Sequence, residues 1–362
     1  MKQSKLSRKK RILLLILNLV LALAAIACAV GIGVLSGLLN TQKEAERWRG
    51  ENPLDFTQLS CYIPTDDSID LPDVYTFRYA MLDKFHEAAL DVDNDSNLFA
   101  DAWSTSGKGV ASTSLGKGDV SITAVGGAFF EFHPIRLISG NYLTETDLME
   151  DRVLLDEELA WLLFGGTDLT GLELRIDNVP FVVAGVIERE QDFASRKAYT
   201  DGMGLFMSYD AFKRLNEDAG ITCYELVMAE PVKHFAINFA REKFPIGGGV
   251  ILENTGRFRP GQLLRLLQQF GTRSMQSRSI IYPYWENAAR CVEDWCTLLL
   301  LLGILFALSP VITLIVWLIR LLRRGKDKME DDILPDWKDR AEEAIRVRQR
   351  RRWEKKHGAH EG

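Results

Sequence analysis

Cysteine and histidine are scarce in this chain of 362 residues, five of each, and their scarcity closes off several chemistries. Cys28, Cys61, Cys223, Cys291 and Cys296 are too few and too scattered for a disulfide framework. Cys28 falls in an apolar run, and Cys291 and Cys296, five apart, point to different faces of any helix that carries them. Cys61 and Cys223 remain as a pair that could meet, either bridged or as two buried thiols. His86 adjoins an apolar stripe without a nucleophile or ligand set, and His357 and His360 end the chain without further ligands. No nucleophile elbow is present. The Gly-x-x-x-x-Gly-Lys-Ser/Thr loop that cradles phosphate is missing too, although Gly107-Lys108-Gly109 and Gly116-Lys117-Gly118 carry fragments of it. Asp91, Asp93 and Asp95 imitate a calcium loop, but Ser96 stands where the turn needs glycine and Ala102 where the bidentate glutamate belongs. The expectation is a non-enzymatic protein with no metal and no cofactor.

Positive charge is also missing from the middle of the chain. Residues 1–11 carry six bases and no acid, and residues 320–362 carry fourteen bases and ten acids. The stretch between has 24 bases against 40 acids, a balance of −16. Phosphate neutralisation needs a basic face, so no nucleic acid is expected as a partner of this region.

Two long uncharged runs are present. Residues 12–39 give 28 residues that would extend about 42 Å as a helix, more than the ~30 Å hydrocarbon core of a bilayer. Residues 297–319 give 23 more, with Pro310 mid-span expected to kink the helix. Lys2, Lys5, Arg8, Lys9, Lys10 and Arg11 flank the first run, and Arg320, Arg323, Arg324, Lys326 and Lys328 follow the second. By the positive-inside rule both clusters are cytoplasmic. The expected organisation is a basic cytoplasmic N-terminus (1–11), a first transmembrane helix (12–39), an extracytoplasmic domain (40–296), a second transmembrane helix (297–319) and a cytoplasmic tail (320–362). The first run is too long for the apolar core of a signal peptide, and Ala25-Ile26-Ala27-Cys28 lacks the leucine-like residue of a lipoprotein site. Ala25, Ala29, Gly33 and Gly37 recur every fourth residue, a small-residue ridge that would let the second span or a helix of another membrane protein approach.

Between the runs the pattern is α+β. Residues 41–50 are polar and helix-prone and read as a stalk extending the first helix, and residues 56–63 alternate as a strand. Residues 71–90 place Val74, Phe77, Met81, Phe85 and Ala88 along one helical face. From Phe99 to Phe132 short strands are expected, broken by glycine turns at 107–109, 116–118 and 126–127. A turn is read at Ser139-Gly140-Asn141 and a strand at 152–155. A helix follows from Asp156, with Glu157 and Glu158 in its first turn and Gly165-Gly166 at its end. Strands at 172–176 and 181–187 follow, joined by residues 177–180, one half-buried and one central. Further on, Glu286, Arg290 and Asp294 lie at pairing distance along a helix, and Tyr282, Tyr284, Trp285 and Trp295 suit a membrane interface.

Ser139-Gly140, Asp147, Val153-Leu154-Leu155, Ala160, Leu163-Phe164-Gly165, Gly171 and Val183-Ala184-Gly185-Val186 together resemble the periplasmic core domain of MacB-like and FtsX-like ABC transporter permeases. The resemblance is dense over residues 132–190 and continues by order of elements, with a strand at 224–229 and a helix at 232–244. It implies a MacB-like α+β domain on the cell membrane and a role in transport. Members of this type carry three spans after the domain, where this chain has one, and they work with an ATPase. A separate ABC ATPase and a further permease chain are therefore the implied partners beside the lipid bilayer, with a second copy of this chain as another candidate. The competing reading is a stand-alone envelope scaffold or sensor that binds a ligand outside the membrane; a hydrolase is disfavoured for want of a catalytic constellation. Arg346, Arg348, Arg350, Arg351 and Arg352 belong to a run of seven bases in eleven residues, which suits anionic lipid, a cytoplasmic protein or plain solvation.

Overall fold

In the computed structural model, residues 8–88, 90, 98–144, 151–199, 202–269, 273, 276–277, 279–328 and 334–357 are described. The chain divides into two units, residues 1–29 with 301–362, and residues 30–300. In chain order the elements are α1 (Arg8–Gly37), α2 (Glu44–Arg49), β1 (Phe56–Tyr62), α3 (Leu71–Glu87), β2 (Phe99–Ser112), β3 (Lys117–Gly127), α4 (Phe129–Phe132), β4 (Arg136–Gly140) and β5 (Arg152–Asp156). Then come α5 (Glu157–Phe164), β6 (Glu173–Ile176), β7 (Val179–Glu188), α6 (Phe193–Ala198), β8 (Gly204–Ser208), α7 (Tyr209–Leu215), β9 (Cys223–Ala229) and α8 (Phe235–Lys243). The chain continues with β10 (Val250–Glu253), α9 (Pro260–Leu266), the short pair β11 (Gln276–Ser277) and β12 (Ile280–Ile281), α10 (Tyr284–Lys328) and α11 (Leu334–His357).

The unit of residues 30–300 is built on a mixed ten-stranded sheet in the order β10-β1-β9-β2-β3-β8-β5-β7-β4. Strand β6 pairs with both β2 and β7, so β2, β3, β8, β5, β7 and β6 close a ring. One apolar cluster, containing Ile122, Val153, Leu163, Val186 and Met207, belongs to the ring strands and the helices packed on them. A second cluster centres on aromatic rings: Phe77 lies 5.8 Å from Tyr224, 5.2 Å from Phe239 and 5.1 Å from Phe244 between ring centroids. A third, with Leu39, Ala198, Leu263, Ala289, Val292 and Cys296, gathers around the first turns of α10.

Several local expectations hold. Helix α5 begins at Asp156, whose carboxylate accepts the Leu159 N–H at 2.7 Å, and stops at a left-handed Gly165. Val74, Phe77, Met81 and Phe85 of α3 are buried as read, whereas Ala88 lies beyond the helix end and is exposed. Strand β6 is half-buried, and β7 is central, paired on one edge with β5 and on the other with β4 and β6.

Others are overturned. The stretch 99–127 is one long hairpin and not a series of short strands, and 129–132 is the short helix α4: β2 and β3 pair in unbroken register from Ala102↔Gly127 to Ser112↔Lys117. Of the three glycine pairs the second borders the hairpin link, the third ends β3 with a left-handed Gly127 before the bend into α4, and the first lies within a strand. Gly107 sits inside β2 because the Phe212 ring packs there, 2.3 Å from where a Cβ would stand, so the glycine answers a close approach and not a reversal. The β6–β7 link is the two residues Asp177-Asn178, both left-handed (φ 51° and 73°), and Val179 and Pro180 already belong to the strand. Residues 41–50 do not extend α1. The helix stops at Gly37, and Gln58 on β1 anchors the next turn, donating to Thr41 O at 2.7 Å and accepting the Glu44 N–H at 3.1 Å. Strand β1 is buried along its whole length, and its polar residues are satisfied within the fold, as when Asn254 donates to Ser60 at 2.7 Å.

In the other unit, Asn18 is the buried polar residue of α1. It accepts a hydrogen bond from Ser309 (2.9 Å) and donates to Thr313 (3.3 Å), while Gly303 faces Cys28. Along α1 and α10 many apolar side chains are exposed, and both helices are long and apolar enough to cross a membrane. Pro310 lies inside α10, which runs as a helix from Tyr284 to Lys328.

Candidate functional site

The densest polar chemistry lies where α10 begins. Pro283 precedes the helix, and the first four turns sink into the fold: Trp285, Glu286, Ala288, Ala289, Val292, Glu293 and Cys296 are buried. Glu286 and Glu293 are seven residues apart, two turns, and so share a face. Arg257, turned inward after β10 with its N–H on Asn254 O (3.1 Å), reaches both. Its two terminal nitrogens donate to the two oxygens of Glu286, each at 2.9 Å, and its Nε donates to Glu293 at 2.7 Å. Gln42, from the segment after α1, accepts a further hydrogen bond from Arg257 at 3.0 Å.

Neighbours complete the network. Glu286 also accepts from Arg290 Nε (2.8 Å) and from the Tyr62 hydroxyl (3.2 Å). Arg273 contacts Glu293 and donates to Asp294 at 2.7 Å. Three arginines therefore meet three carboxylates, with Arg257 and Glu286 almost wholly inside. Burial works against the charge on Arg257, and the carboxylates of Glu286 and Glu293 more than offset it, holding its pKa well above the ordinary arginine value. The fork of the guanidinium matches Glu286 on two parallel bonds, the geometry that makes such pairs strong and directional. The arrangement fastens the base of a helix to a folded core. Both oxygens of Glu286 and of Glu293 are taken up by arginines.

Sequence reasoning placed part of this site correctly. Glu286 and Arg290 pair as their spacing suggested, and Asp294, within the field of Arg290, also pairs with Arg273. The aromatic residues are a clear correction: Tyr282 and Trp285 are core residues, with Trp285 4.5 Å from His133 between ring centroids. Tyr284 is half-buried and stacks on Tyr199 at 4.1 Å, so of the four proposed interface aromatics only Trp295 is exposed. Arg257 was missed, as was His133, whose Nε2 lies 2.5 Å from the buried Glu225 carboxylate. Cys61 and Cys223 are free thiols. Cys61 stands opposite Tyr224, and Cys223 opposite Tyr62, which puts the two sulfurs on opposite faces of the sheet.

The residues of the glycine-marked stretch lie elsewhere and act on packing. Gly140 and Gly185 pair across β4 and β7, where a Cβ on Gly140 would meet Ala184 O at 2.1 Å and one on Gly185 would meet Ser139 O at 2.4 Å. Leu163 and Val186 are buried and Phe164 half-buried; Gly165 caps α5, and the Gly171 N–H donates to Val183 O at 2.9 Å. Asp147 lies outside the described residues, as do Asp91, Asp93 and Asp95. On α1, Ala25 is half-buried, Ala29, Gly33 and Gly37 are exposed, and Gly33 has nothing within 4 Å of its missing Cβ. Arg346, Arg348, Arg350, Arg351 and Arg352 are all exposed on α11.

A cleft of about 310 Å³ opens on the domain surface, lined by Tyr75, Arg78, Trp103, Phe130 and Tyr209 among others. Arg78 is fixed there by two bonds to Asp101 (2.8 and 2.6 Å) with its guanidinium 5.0 Å over the Trp103 ring.

Comparison with known proteins bears on residues 13–233, which match the model of the MacB-like periplasmic core domain. The periplasmic region of MacB from Actinobacillus actinomycetemcomitans is similar in structure, with 14% identity, 60% of this chain and 94% of that chain covered, and a TM-score of 0.41. The extracellular domain of the noncanonic ABC-type transporter YknZ from Gram-positive bacteria shares 14% identity over 55% of this chain and 99% of that one, with a TM-score of 0.38. None of the curated proteins matches.

Proposed function

The chain belongs to the MacB-like periplasmic core domain family, and from that premise we propose that it is a permease-like, non-enzymatic component of an ABC-type membrane complex. Its domain is extracytoplasmic, and α1 and α10 cross the membrane with both termini in the cytoplasm, where the basic clusters flanking each helix hold them. An ATPase and further membrane spans come from other chains.

The observation that carries this reading is the Arg257 clamp. Shifting the core by a side-chain width forces the first turns of α10 to follow, because Glu286 and Glu293 cannot leave their buried arginine without being stranded in apolar surroundings. The domain thus transmits conformational change to the helix that enters the bilayer. The exposed small residues Ala29, Gly33 and Gly37 are offered to a helix of the partner permease. Purification in mild detergent tests the assembly: the full chain is expected to bring down an ATPase and a multi-span protein, and the latter is expected to be lost with Gly33→Leu/Gly37→Leu. A chain that is always recovered alone contradicts the proposal.

The second reading, a ligand-binding envelope sensor, is favoured by the aromatic cleft at Tyr75, Arg78 and Trp103. It expects function without nucleotide hydrolysis, and its loss when Tyr75→Ala removes an aromatic ring from the lining.

A further inference from the structure

The arginines of the tail form one run in sequence, but a helix sorts them. Residues 334–357 are a single α-helix, and with 3.6 residues per turn Trp337, Ala341, Ala344, Ile345, Arg348 and Arg352 fall within an arc of about 120°. Arg351 joins the same arc. The opposite side carries Glu342, Glu343, Arg346, Arg350 and Trp353, and Arg346 is paired there with Glu342 at 3.8 Å. One face is therefore apolar in its first half and purely cationic in its second, while the acids of the described stretch sit behind it. Among the described residues Trp337 and Ile345 are three-quarters and one-half exposed.

We propose that α11 is a membrane-surface helix that binds anionic phospholipid through the face bearing Trp337, Ile345, Arg348, Arg351 and Arg352. This rests on α10 crossing the bilayer, and not on which side the tail occupies. Two arguments select lipid as the occupant. The first is reach: only residues 329–333 separate α11 from α10, so the helix starts within about 20 Å of the end of α10. The second is charge complementarity. Apolar side chains followed by arginines on the same face match a headgroup layer, where the stem of an arginine lies along acyl carbons and its guanidinium on phosphate. A cationic side chain near such a surface strengthens binding about fivefold, within a Debye length of about 8 Å.

The test uses the full chain in nanodiscs of either pure phosphatidylcholine or a mixture with 30% phosphatidylserine. A spin label is placed at Ala344→Cys on the front face or at Glu343→Cys on the back, and the unsubstituted chain records the native thiols. In anionic discs the front label is expected to become accessible to oxygen and shielded from a nickel chelate, the back label to stay in water, and both to be solvated in phosphatidylcholine or high salt. Arg348→Gln/Arg352→Gln should lower the ratio of bound to free tail about twentyfold, and Arg346→Gln/Arg350→Gln, which removes equal charge from the back, less than threefold. Equal losses from the two pairs, or a front label that stays in water in anionic discs, as a protein-docking helix would show, overturns the proposal. A chain that never remains in the discs overturns the membrane reading as well, so the two failures are distinct.

Discussion

Residues 132–190 and residues 254–296 belong to the same folded unit and combine apolar packing and buried charge in different proportions. The first stretch is secured by apolar burial and close backbone approach: Leu163 and Val186 are fully covered, and Gly140 faces Gly185 where no side chain would fit. The second adds to its apolar cluster a network of charge taken out of water, with Arg257 joined to Glu286 and Glu293. Apolar packing degrades by degrees as atoms are removed. A buried ionic clamp fails at once, because each partner depends on the other to remain charged inside the fold.

That contrast orders the expected effects. Arg257→Met should be the most damaging single change, costing about 3–5 kcal/mol, because two carboxylates are left buried with reduced compensation. Denaturant unfolding in detergent, followed by Trp285 fluorescence in a chain with its other tryptophans accounted for, reads this loss. Leu163→Ala should cost about 2–4 kcal/mol by cavity formation, smaller than the clamp and without a separate local transition. Gly185→Ala should cost about 1–3 kcal/mol through the clash with Ser139 O, seen as a lowered midpoint with an unchanged slope.

The smallest expected effect is at Asp70, which joins α3 to α7 through Lys213 (2.8 Å) and the Tyr209 hydroxyl (2.9 Å). Its pKa is lowered, chiefly by the hydrogen bond from Lys213, with burial opposing. A folded pKa below the unfolded one means the stabilisation is present above the unfolded value and is lost as pH falls through the folded value. The group is more than half exposed, so solvent screening keeps the contribution under about 1 kcal/mol. Asp70→Asn should therefore lower stability slightly at pH 7, the difference should shrink as pH falls through the lowered pKa of Asp70, and a difference that stays constant into acid would refute the assignment.

The two stretches also differ in how much of each is legible in the sequence. Helix α5 announces itself through Asp156 at its start and Gly165 at its end, and the four apolar residues of α3 follow helical spacing, because these signals are local. The clamp is not local: Arg257 meets Glu286 from 29 residues away, and Gln42 meets Arg257 across 215. Two carboxylates seven apart at the head of an apolar helix were the available sign that a cation must be near. Tyr282 and Trp285 were misread because an aromatic residue beside a membrane span looks the same whether it faces lipid headgroups or a protein core. Gly107 was misread because glycine marks a turn and a close approach alike, and only the Phe212 ring across the way tells them apart.

Whether the first turns of α10 are part of the folded domain is decided most directly by native-state hydrogen exchange of the full chain in detergent, with and without Arg257→Met. In the parent protein, amides of residues 284–296 are expected to exchange only with global unfolding, together with β1 and β9. In the variant they should open on their own while residues 152–187 keep their protection. Fast exchange of 284–296 in the parent, or no change on losing Arg257, would contradict the clamp and with it the proposed coupling between the domain and α10.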